Sequence, residues 1–112
     1  MQLEIFTTGG TIDKVYFDAK SKFEVGEPQI LEVLREANLS IAYQVTPLMR
    51  KDSLELTDQD REQVRKAVEA STATRIVITH GTDTMTDTAR SLTGITGKTI
   101  VLTGAMQPAR FR

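Results

Sequence analysis

Arg75-Ile76-Val77-Ile78-Thr79-His80-Gly81-Thr82-Asp83-Thr84-Met85 runs from a β-branched segment, through a glycine turn, into residues that can open a helix. Near-continuous Ile, Val and Thr character over Arg75 to Thr79 reads as a strand buried on both faces, the usual condition of a parallel sheet. Thr99-Ile100-Val101-Leu102-Thr103 repeats the same character. Between the two, Thr84 with Asp87 three residues on marks a helix start, and Met85, Ala89 and Leu92 then share one face. Gly94 is placed to end that helix.

Working outward, Leu3-Glu4-Ile5-Phe6-Thr7 and Ile41-Ala42-Tyr43-Gln44-Val45 read as two further strands. Pro28 suits a first helical turn, with Ile30, Leu31, Leu34 and Ala37 following at helical spacing. Thr57 and Asp60 form a capping-box pair ahead of an apolar stripe at Val64, Ala67 and Val68. Strands and helices therefore alternate along the chain. That order predicts right-handed crossovers and an α/β fold, a three-layer, doubly wound parallel sheet.

Composition sets the outer bounds. The chain has 112 residues, one domain's worth, with 39% apolar and 26% charged residues. Fourteen basic residues against fifteen acidic ones give a net charge of -1, which argues against a nucleic-acid partner. There is no cysteine, hence no disulfide framework and no thiolate metal site, and a single histidine gives metal binding little support. The longest apolar runs fall far short of the ~20 residues needed to span a bilayer, so no membrane partner is expected. Met1-Gln2-Leu3-Glu4 carries no signal-type segment, and a soluble, cytoplasmic protein is the expectation.

In open parallel sheets, ligands sit beyond the carboxyl ends of the strands. Thr8-Gly9-Gly10-Thr11-Ile12 follows the first strand there, and Leu48 to Ser53 follows the second. His80-Gly81-Thr82-Asp83-Thr84-Met85 follows the third, and Gly104-Ala105-Met106-Gln107-Pro108 the fourth. These residue types suit acyl-group hydrolysis, which needs a nucleophile, oxyanion donors and a substrate anchor. Thr11 is the candidate nucleophile. Amides around Gly10 and Gly81-Thr82 are candidate oxyanion donors, and Asp83 is a fixed charge for a substrate ammonium. Neither a G-x-G-x-x-G nor a G-x-x-x-x-G-K-[ST] pattern occurs. Residues 8–27 are too long for an ordinary connection. Phe17 to Phe23 suits the turn of a small hairpin, and we read this segment as a lid.

Thr8-Gly9-Gly10-Thr11-Ile12 together with His80-Gly81-Thr82-Asp83-Thr84-Met85 resembles the paired signature of bacterial-type L-asparaginases and glutaminase-asparaginases. Ser53-Leu54-Glu55-Leu56-Thr57 is similar to that family's substrate-binding segment, and Val101 to Pro108 to its next strand and loop. The resemblance spans residues 1–112, as an asparaginase N-terminal α/β domain. It makes the chain incomplete at its C-terminal end and without the smaller C-terminal domain.

The resemblance implies roles by position. Thr11 would be the primary nucleophile. Thr82 and Asp83 would form a second catalytic group with a lysine, and Asp83 would also bind the substrate's α-amino group. Ser53 would bind the α-carboxylate. The implied reaction is hydrolysis of L-asparagine to L-aspartate and ammonia through an aspartyl-enzyme ester, with no cofactor and no metal. Homo-oligomers, dimers or tetramers, are also implied.

The chain departs from the family in ways that matter. The family's lid tyrosine falls at Phe23 in Phe23-Glu24-Val25-Gly26, and Tyr16, on the same candidate lid, is expected to supply the hydroxyl. Leu54 replaces a glutamine, which bears on the choice between L-asparagine and L-glutamine. The lysine would lie beyond residue 112. Other readings stay open: a non-catalytic amino-acid-binding domain or fragment without the lysine, or a glutamine-directed amidohydrolase. His80 reads as structural, Lys51 and Asp52 as solvated loop charges, Met85 and Met106 as core, Arg110 and Arg112 as surface charge, and Thr82 with Asp83 as also fitting an ordinary helix cap.

Overall fold

The computed structural model describes residues 2–9, 14–17, 22–25, 42–51 and 53–104. In chain order the strands are β1 (Gln2–Gly9), β2 (Lys14–Phe17), β3 (Lys22–Val25), β4 (Ala42–Lys51), β5 (Arg75–Thr79) and β6 (Thr99–Thr103). Helix α1 (Asp58–Ala70) lies between β4 and β5, and α2 (Met85–Ser91) between β5 and β6. Strands β1, β4, β5 and β6 form a sheet in the order β4-β1-β5-β6, with every pairing parallel. From β1 the chain goes to one neighbour, then returns across to the other, so the order reverses between β1 and β5. In open parallel sheets ligands bind at such a switch point, beyond the carboxyl ends of the strands. The expected helix over Pro28 to Ala37 lies outside the described residues.

Residues 8–27, expected to contain a hairpin, place β2 against β3 as an antiparallel pair, with Tyr16 directly opposite Phe23 in register. The expected strands over Arg75–Thr79 and Thr99–Thr103 are observed with those bounds. The first strand runs on to Gly9 and β4 runs on to Lys51, past the expected end at Val45. Pro47 did not stop β4, because β4 is an edge of the four-stranded sheet, where a residue without an N–H is tolerated.

Ile5 is buried on one sheet face, and the main apolar cluster lies on the other. Phe6, Ile76 and Ile78 pack there with Val64 and Val68 of α1 and with Leu92 just past α2. Each such side chain removed from water contributes roughly 1.5–3 kcal/mol. Helix α1 starts as the sequence requires. Thr57 Oγ1 accepts from the Asp60 N–H at 3.1 Å, and the Thr57 N–H donates to Asp60 Oδ2 at 2.9 Å.

Two packing expectations are corrected. On α2 the buried residue is Thr88 rather than Ala89, which is exposed; a hydroxyl occupies the inner face because a buried imidazole needs it. Strand β6 is not covered on both faces: Thr99, Val101 and Thr103 are exposed on one, while Ile100 and Leu102 pack against the core on the other. Thr84 takes the N-cap position of α2 without a side-chain capping bond. Helix α2 ends at Ser91, and Gly94, in the left-handed region at φ 88°, lies two residues beyond the C-cap Leu92. Among the described residues no helix is long and apolar enough to cross a membrane.

Candidate active site

The strand ends form a continuous row. Thr7 pairs with Thr79, Thr79 with Thr103, and Gly9 with Lys51. Neighbouring strands lie about 4.8 Å apart, so the segments leaving β1, β4, β5 and β6 start side by side. Thr8 Oγ1 donates to the Thr79 carbonyl at 2.8 Å, tying β1 to β5 across the switch point. Gly9, the last residue of β1, has φ 101°, a conformation open mainly to glycine.

Gly10 and Thr11 lie outside the described residues. Tyr16 is placed by backbone register on β2, and Ser53 begins a 3-10 turn over Ser53–Glu55. Gly81 is buried, whereas Thr82 and Asp83 are exposed at the head of the β5–α2 connection. Because the N-cap of α2 is Thr84, Thr82 and Asp83 are not the helix cap; they sit before it, on the turn.

What holds this turn is His80, fully buried. Its Nδ1 lies 2.6 Å from the Gly81 carbonyl oxygen and its Nε2 2.7 Å from Thr88 Oγ1. A carbonyl only accepts, so Nδ1 carries the proton, and Nε2 accepts from the Thr88 hydroxyl. Burial pushes the imidazole's pKa below its ordinary 6.5; the Gly81 bond opposes this and the Arg61 cation adds to it. His80 is therefore a neutral structural residue, as the sequence suggested. Among the described residues no peptide bond is cis. With the Gly81 carbonyl held by His80, the Thr82 N–H of the same trans peptide points away from that ring.

The sequence reading missed three contributions. Thr88, the partner of His80, carried no signal other than a threonine on a helix. Gly104 was noted only as small, yet a Cβ there would strike the His80 carbonyl oxygen and come within 3.2 Å of Met85 Cε and 3.4 Å of Thr82 Cγ2. Glycine lets the exit of β6 pack against the Thr82 turn. Lys51, taken for a solvated charge, donates to Asp60 Oδ2 at 2.8 Å.

Beside the switch point, Thr7 and Thr79 are fully buried, and their hydroxyls find no hydrogen-bond partner among the described residues. A polar group held so costs roughly 1–3 kcal/mol. Among the described residues no group of His, Cys, Asp and Glu is arranged to hold a metal ion.

The Asparaginase, N-terminal family model matches residues 2–112. The structure is similar to the thermostable L-asparaginase from Thermococcus kodakarensis, with a TM-score of 0.78 and 26% identity over 97% of this chain and 35% of that one. It is also similar to a probable cytoplasmic L-asparaginase from Campylobacter jejuni, at TM-score 0.77 and 28% identity, over 96% of this chain and 33% of that one. The chain thus spans about a third of the length of these solved structures.

Proposed function

The chain belongs to the asparaginase family, through that family's N-terminal domain, and on that premise we propose that it hydrolyses L-asparagine to L-aspartate and ammonia. The observation that carries this reading is the Thr82-Asp83 turn. It stands exposed on a fully buried Thr79-His80 base, one strand away from the Gly9 exit that leads to Thr11.

Each residue then has a chemical task. The Thr11 hydroxyl oxygen attacks the side-chain amide carbonyl. The C–N bond breaks, the hydroxyl proton leaves with the nitrogen as ammonia, and an aspartyl ester remains on Thr11. Water then cleaves that ester, returning the proton to Thr11 and releasing aspartate. Amides near Gly10 and the Thr82 N–H stabilise the oxyanion formed in each step. Asp83 holds the substrate's α-ammonium, Ser53 its α-carboxylate, and Thr82 takes part in proton transfer.

Tyr16 supplies the lid hydroxyl. Tyr16 pairs with Phe23 in the backbone register of the hairpin, and we assign to it the hydroxyl that the family carries at Phe23. No cofactor enters the reaction, and we place it in a cytoplasmic homo-oligomer.

Ammonia release from L-asparagine and L-glutamine, measured beside aspartate binding, tests the reading. Turnover of asparagine in preference to glutamine supports it. Aspartate binding without turnover replaces it with an amino-acid-binding role, and the absence of both overturns it.

A further inference from the structure

The end of β4 is tied to the start of α1 by one carboxylate. Asp60 Oδ2 accepts from Lys51 Nζ at 2.8 Å and from the Thr57 N–H at 2.9 Å, while Thr57 Oγ1 accepts from the Asp60 N–H at 3.1 Å. Helix capping needs only the Thr57–Asp60 exchange, which is complete without the lysine. The lysine adds a different connection. It is the last residue of β4, and it pairs with Gly9, the last residue of β1 and two positions before Thr11 in sequence. Between Thr7↔Pro47 and Gly9↔Lys51 the register shifts, so β4 carries two more residues than β1 over the same span. That irregularity brings Lys51 level with Gly9. The Ser53–Glu55 turn is thereby flanked by Lys51 and Thr57, which meet on Asp60.

We infer that Lys51 and Asp60 are positioning residues, a latch that holds the Ser53 turn in register with the Gly9 exit and so sets affinity for the carboxylate of an amino-acid substrate. This rests on the proposed amidohydrolase reading. Neither residue needs to touch substrate. The Asp60 side chain is only 14% exposed, and its accepting oxygen is engaged by both Lys51 and the Thr57 amide. Closing the loop removes alternative conformations that binding would otherwise have to suppress. The lysine charge is spent on Asp60, so the latch acts through geometry and not as a free cation for the substrate.

The test is steady-state kinetics on asparagine and equilibrium binding of aspartate, for the wild-type protein and for Lys51→Met, Lys51→Arg and Asp60→Asn. A lost charge-assisted bond predicts that KM and the aspartate Kd rise about tenfold in Lys51→Met and in Asp60→Asn. With kcat set by groups elsewhere, it stays within about twofold of wild type. Lys51→Arg, which can reach the same oxygen, restores wild-type KM.

Unchanged KM in Lys51→Met, or a fall in kcat in place of a rise in KM, overturns the latch. A rise in Lys51→Met with none in Asp60→Asn also overturns it, because the lysine would then meet the substrate directly. A wild-type protein that neither binds nor turns over defeats the underlying reading instead, and the wild-type arm alone reveals this.

Discussion

Two buried threonines, both fully inaccessible, should respond with opposite sign to the same substitution. Thr88 Oγ1 is 2.7 Å from His80 Nε2, and the tautomer fixed by Gly81 makes that hydroxyl the donor. Thr88→Val keeps the side-chain shape and leaves Nε2 buried with no donor. A buried acceptor stripped of its partner costs about 1–3 kcal/mol, and a central ~2 kcal/mol is a shift of about 30-fold in the unfolding equilibrium. Thr79 differs only in that its hydroxyl has no partner among the described residues. In Thr79→Val a methyl group replaces an unsatisfied donor, and stability rises by about 1 kcal/mol. Urea unfolding monitored by circular dichroism reads both. At an m-value of about 2 kcal/mol per molar, the midpoint falls by about 1 M in Thr88→Val and rises by about 0.5 M in Thr79→Val. Thr88→Ser, which keeps the hydroxyl, recovers most of the loss. If Thr88→Val is neutral, or both valine variants lose stability alike, the assignment of His80 as a neutral acceptor held by Thr88 is wrong.

Other outcomes follow from the same geometry. Gly104→Ala drives a methyl group into the His80 carbonyl oxygen and costs about 1–3 kcal/mol in urea unfolding. Acid lowers stability in two stages. His80 has a folded-state pKa below its unfolded 6.5, mainly through burial, so its contribution is complete above that pH and is lost as pH falls through the folded value. Asp60 behaves likewise below 3.8, chiefly because Lys51 and then the Thr57 amide donate to its carboxylate. Unfolding free energy measured against pH shows the upper stage vanish in His80→Gln and the lower one shrink in Lys51→Met. Tyr16→Phe lowers kcat for asparagine about a hundredfold, as expected for a lost proton-transfer group; full activity in that variant removes Tyr16 from the mechanism.

The architecture was legible because its strongest signals are local. The β-branched runs at Arg75–Thr79 and Thr99–Thr103, the capping pair Thr57 and Asp60, and the stripe at Val64 and Val68 each specify an element by themselves. The loops that leave the strands carried the small and hydroxyl residues of a site because function collects at the carboxyl edge of a parallel sheet. What was not legible depends on distant partners. Nothing local says that Thr88 rather than Ala89 faces inward; that choice is made by His80, eight residues back and on another element. Lys51 looks like any loop charge until β4 runs through Pro47 and its register slips against β1. The requirement for glycine at 104 comes from a carbonyl 24 positions earlier in the chain.

Ammonia release from L-asparagine by the wild-type protein, Thr11→Ala and Thr11→Ser tests the account most directly. Removing a nucleophile that forms the acyl intermediate predicts loss of at least about a thousandfold in kcat for Thr11→Ala, with partial activity in Thr11→Ser. Aspartate binding within a few-fold of wild type in Thr11→Ala would show the site still formed. Turnover by Thr11→Ala at the wild-type rate would contradict the account, whatever the fold.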